Sequence, residues 1–108
     1  MVNEKQITWD KIPIDAVFTL AKELGVVLSP NEFAILCFCI KYSNYSEAKG
    51  HSYFRLNQSY ISRQTGWERT KIVRAVDKLI GNGFIKDVTP KDDAGKVRIY
   101  TLNDKLKV

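Results

Sequence analysis

Residues 62–76, SRQTGWERTKIVRAV, set Arg63, Arg69, Lys71 and Arg74 around a single glycine, and Lys78 follows one turn later. Permanent cations at this density do not perform acid–base or nucleophilic chemistry at neutral pH; they hold anions. A merely solvated helix face is the plain alternative. The other residues able to do chemistry are few. Cys37 and Cys39 stand two apart in FAILCFCI, nearly opposite each other on a helix, so they cannot pair and read as buried thiols. The single histidine, His51, lies in a polar stretch, SNYSEAKGHS, with no carboxylate or cysteine spacing around it, and reads as a solvated loop residue. No metal-ligand spacing, nucleophile beside a base, or phosphate-binding loop is present, so neither an enzyme nor a cofactor is expected.

The formal net charge of the 108 residues is +5, and its distribution is uneven. Residues 1–52 hold five Lys/Arg against six Asp/Glu, residues 53–102 ten against five, and the last six residues two against one. The excess therefore sits in the half containing the basic stretch, which marks a surface for a polyanion. Composition alone does not separate nucleic acid from an acidic protein. No apolar run reaches the roughly 18–20 residues that cross a bilayer, and MVNEKQITWD lacks a signal-peptide core, so a cytoplasmic protein with no membrane partner is expected.

The elements that must position these cations follow from periodicity and punctuation. PIDAVFTLAKELG repeats apolar residues at helical spacing and stops at Gly25, which predicts an amphipathic helix over about 14–24. SPNEFAILCFCIKYS opens with Ser29, Pro30 and Glu32, a capping box with proline in the first turn, and predicts a core helix over about 30–42. From Phe33 to Ile40 that helix has almost no polar face. It is either the centre of the monomer or, together with the first helix, part of a dimer interface.

YFRL, residues 53–56, predicts a short strand. Asn57 caps a short helix ending at Gly66, and a second helix runs from about Arg69 to Ile80 and closes in Gly81, Asn82 and Gly83. Residues 84–102 predict a β-hairpin turning through TPKDDAG. The whole chain, 1–108, reads as one mainly helical domain with a small hairpin. On a wheel of about 100° per residue, Ile72, Val73, Ala75, Val76, Leu79 and Ile80 form an apolar arc. Thr70, Lys71, Arg74, Asp77 and Lys78 form the polar one, and Arg69 falls on the apolar side in the first turn. Asp77 is placed to pair weakly with Arg74.

A short helix, a small residue at Ser62, the turn Thr65-Gly66-Trp67 with tryptophan plugging the corner, and a basic second helix meet the requirements of a helix-turn-helix over about 57–80. YISRQTGWERTKIVRAVDKLIGNGFI, residues 60–85, resembles the winged helix-turn-helix pattern. With SPNEFAILCFCI included, about 90 residues resemble the N-terminal origin-binding domain of phage replication protein O and related phage or plasmid replication initiators. MarR-like and GntR-like regulators share much of the pattern. The resemblance implies a recognition-helix surface at Arg69, Thr70, Lys71, Arg74 and Lys78, a supporting helix touching DNA at Ser59 and Arg63, and a wing touching it at Lys91, Lys96 and Arg98. Glu68 stands where the pattern has a Ser or Thr cap, and a carboxylate there repels phosphate.

The reading that follows is a sequence-specific binder of double-stranded DNA, a homodimer joined through its N-terminal and core helices, serving replication or partition of a mobile element beside replication or partition proteins. A small transcriptional repressor and a winged helix that docks a protein partner are the alternatives.

Overall fold

The computed structural model describes residues 12–91 and 98–107. Helix α1 spans Ile14–Leu24, α2 Pro30–Ala48, α3 Gln58–Thr65 and α4 Arg69–Asn82, followed by strands β1, Ile85–Asp87, and β2, Tyr100–Leu102, and a 3-10 turn at Asp104–Leu106. The two strands pair antiparallel with Asp87 opposite Tyr100 and Ile85 opposite Leu102. Phe54 adds a single bridge to the other edge of β2, its amide and carbonyl each bonded to Tyr100 at 2.9 Å. The strand expected at 53–56 is thus reduced to one residue.

Local chemistry sets the boundaries. At α2 the Glu32 amide donates to Ser29 Oγ (3.2 Å) and the Ser29 amide donates to Glu32 Oε1 (3.4 Å), which closes the capping box. Asn57 Oδ1 accepts from the Tyr60 amide at 3.0 Å and starts α3. Gly83, with φ +91°, ends α4 in the left-handed conformation.

Helix α2 continues to Ala48, beyond the boundary near residue 42 that its composition suggests. The polar run 43–48 is helical because its first residues are still held by the core: Tyr42 and Ser43 are buried. The helix stops only where Gly50 turns with φ +84°.

The core forms around α2. Ile35, Leu36, Cys39 and Ile40 have no exposed surface and pack with Val17 and Leu20 of α1, Ile61 of α3, Ile72 and Leu79 of α4, and Phe54, Phe84 and Leu106. The centre of α2 is therefore covered within one copy of the chain. Burial also pushes the Cys39 thiol pKa far up, which keeps it neutral and unreactive. Among the described residues no helix is long and apolar enough to cross a membrane.

Candidate nucleic-acid interface

The turn between α3 and α4 is held by side chains as well as by glycine. The Ser62 hydroxyl donates to the Trp67 carbonyl (2.7 Å), the Thr65 hydroxyl to the Ile61 carbonyl (2.8 Å), and the Trp67 amide to Thr65 Oγ1 (3.1 Å). Gly66 has φ +74°, and a Cβ added there would meet nothing within 4 Å. Glycine is needed at this position for backbone conformation, not for space. Trp67 is half-buried against the core, and Lys71 Nζ lies 4.9 Å from the centre of its ring. Ser62 thus does more than allow a close crossing, since its hydroxyl fixes the carbonyl that leads into α4.

Helix α4 buries Ile72, Ala75, Val76 and Leu79 and exposes Arg69, Thr70, Lys71, Arg74, Asp77 and Lys78. Val73 departs from the expected apolar arc: it is 40% exposed. It sits at the edge of that arc, where burial is incomplete. Arg69 is exposed despite its place on the apolar side of the wheel, because its Nη2 reaches back and donates to Ser59 Oγ at 2.9 Å. This bond ties the first turn of α4 to the first turn of α3.

The cations divide between two depressions. Arg69 and Arg98 border a cleft with Asn57, Ser59 and Tyr100. Lys71, Arg74 and Lys78 border a groove with the N-terminal turn of α2, where Asn31, Glu32 and Glu68 also lie. Glu68 is the N-cap of α4, but its side chain makes no capping bond. Arg63 lies exposed in the last turn of α3 with its guanidinium 6.0 Å from the Tyr60 ring centre. Lys91 is exposed at the start of the hairpin turn, and Lys96 falls outside the described residues.

At the foot of the hairpin Arg98 Nη1 lies 2.5 Å from Asp87 Oδ2. The Thr89 amide donates to Asp87 Oδ1 (2.9 Å), and the Ile99 amide to Thr89 Oγ1 (2.9 Å). Hydrogen bonding from Thr89, with a smaller contribution from Arg98, holds the Asp87 carboxyl below the usual aspartate range. The charge of Arg98 is therefore partly neutralised by its own strand partner. Sequence reading missed this pair, although the register supplies it: with Asp87 opposite Tyr100, Arg98 is its diagonal neighbour on the same face.

A short helix and a longer one meeting at a hydrogen-bonded turn, with a two-stranded hairpin directly after the second, define a winged helix-turn-helix protein. The sequence pattern of the family described as "Helix-turn-helix domain" matches residues 27–85, more than half of the 108. The chain belongs to that family, and membership indicates DNA binding. No curated protein and no solved structure is similar enough to the chain to be matched.

Proposed function

We propose that the protein binds double-stranded DNA sequence-specifically, as a homodimer on a two-fold site, and serves replication initiation or partition of a phage, plasmid or other mobile element in the cytoplasm. The observation that carries the reading is the exposed face of α4, in which Arg74 and Thr70 project between flanking cations from a turn held by Ser62 and Thr65. A major groove about 12 Å wide admits one such helix. Arg74 reads a guanine edge, Lys71 and Lys78 lie along the backbone on the α2 side, and Arg69, Ser59 and Arg63 meet phosphate on the α3 side. Arg98, Lys91 and Lys96 follow from the wing. The protein has no turnover of its own in this role.

The dimer is supported by the placement of exposed apolar groups. Ile14, Phe18, Leu24 and Val27, four of the five large hydrophobic residues exposed among those described, fall in α1 and the loop after it. Phe18 stacks on Phe33 with ring centres 5.8 Å apart. A small repressor of the MarR-like or GntR-like type uses the same face. Enrichment of bound sequences from random duplex, followed by mapping on the source DNA, separates the two roles. Repeats at an origin or partition locus support the first, and a site over the protein's own promoter supports the second. Failure of any sequence to enrich would leave a protein-docking winged helix instead.

A further inference from the structure

Val73 is the one large apolar side chain that α4 leaves exposed among the described residues. A β-branched residue is a poorer helix former than alanine, lysine or arginine, and at 40% exposure it forgoes part of the burial that Ile72, Val76 and Leu79 have on the same helix. Neither helix formation nor complete burial accounts for it there.

Its neighbours across the helix do. Measured from Arg69 at 0°, the exposed side chains of α4 run, at about 100° per residue, Val73 near 40°, Asp77 near 80°, Thr70 near 100°, Arg74 near 140°, Lys78 near 180° and Lys71 near 200°, with Gly81 near 120°. Arg69 lies at one margin and Lys78 and Lys71 at the other, while the middle is apolar, acidic or neutral apart from Arg74, the cation assigned to a base edge. This is the cross-section of a helix seated in a major groove, where phosphates line the two walls and base edges lie between them. Asp77 fits the middle and not the margins, since a carboxylate repels phosphate. An apolar side chain on that middle strip has one apolar partner among the base edges, the C5-methyl group of thymine.

We propose that Val73 is a specificity-determining residue that packs against a thymine C5-methyl in the bound site. The inference rests on the DNA-binding reading above. Val73 and Arg74 are successive residues separated by about 1.5 Å along the axis, so the thymine lies within one or two base pairs of the guanine that Arg74 reads.

The test uses the duplex enriched from random sequence, with each thymine replaced singly by deoxyuridine, which removes only the methyl group. One such position per half-site should weaken the unaltered protein about fourfold, the effect of one buried methyl. With Val73→Ala the same replacement should change affinity by less than about 1.5-fold, while Val73→Ile should keep the sensitivity. Thermal unfolding of both variants checks that α4 is intact, and comparing paired duplexes on one protein cancels any general loss. An equal methyl effect in the unaltered protein and Val73→Ala, or no sensitive thymine at all, would overturn the proposal and leave DNA binding standing. Absence of binding to every duplex at low salt would remove the DNA-binding reading, and this proposal with it.

Discussion

The Asp87–Arg98 pair at the foot of the hairpin makes Asp87→Asn an informative perturbation. Asparagine keeps the shape and still accepts from the Thr89 amide, now 2.9 Å from Asp87 Oδ1, so the hairpin should stay paired. What disappears is the charge that holds Arg98. The pair is solvent-exposed on the arginine side, 67%, so it contributes at most about 1 kcal/mol and its loss should barely move the melting temperature. The effect on DNA is larger. An arginine released to one phosphate steepens the slope of log affinity against log salt by about 0.9 per copy of the chain, which at about 0.15 M salt corresponds to roughly fivefold tighter binding per copy. Fluorescence anisotropy on a fixed duplex at four or five salt concentrations measures both quantities. The gain should appear equally on specific and scrambled duplexes, because a phosphate contact carries no sequence information. An unchanged slope in a variant that melts normally would show that the wing stands away from DNA. The pair is intact throughout the neutral range: the folded pKa of Asp87 lies below its unfolded value, so its contribution to stability is fully present above the ordinary aspartate value of about 3.9. It is lost only as pH falls below that value through the folded one.

Three further outcomes are expected. Arg74→Ala should weaken the enriched site by about 1–3 kcal/mol and relax preference at one base pair, read by competition between single-base variants of the duplex; unchanged binding by a folded variant would remove Arg74 from the site. Trp67→Ala should lower unfolding free energy by roughly 2–3 kcal/mol in urea titration, somewhat less than a fully buried tryptophan because Trp67 is only half-buried. A variant of normal stability that fails only in DNA binding would instead make Trp67 a contact residue. Phe18→Ser should shift sedimentation from dimer to monomer and remove the concentration dependence of the melting temperature while the monomer stays folded, since Phe18 is 53% exposed; a variant that remains dimeric would place the interface elsewhere.

The sequence carried the architecture of the site further than its surface. Capping at Ser29 and Asn57, the left-handed glycines and the apolar periodicity of α4 are local signals, and each appears where its chemistry requires. What escaped depends on contacts between distant residues. The extension of α2 comes from burial of Tyr42 and Ser43 by the rest of the fold, which a polar composition conceals. Arg69 finds Ser59 ten residues back, and Arg98 finds Asp87 across a strand pair, so neither partner follows from spacing along one helix. Val73 shows the limit of the wheel itself, because the edge of an apolar arc is buried only if a neighbouring element reaches it. For Lys96, which falls outside the described residues, the expectation drawn from the sequence stands alone.

The central claim is that the face of α4 and its flanks neutralise DNA phosphate. Salt titration of binding to a nonspecific duplex tests it most directly. With Arg98 held by Asp87, Arg63, Arg69, Lys71, Lys78 and Lys91 are the remaining exposed cations assigned to phosphate among the described residues, and five such contacts give a slope near −4.5 per copy of the chain. A slope of about that size, with the enriched duplex bound more tightly at every salt concentration, is the predicted result. Affinity indifferent to salt, or no binding at low salt, would contradict it.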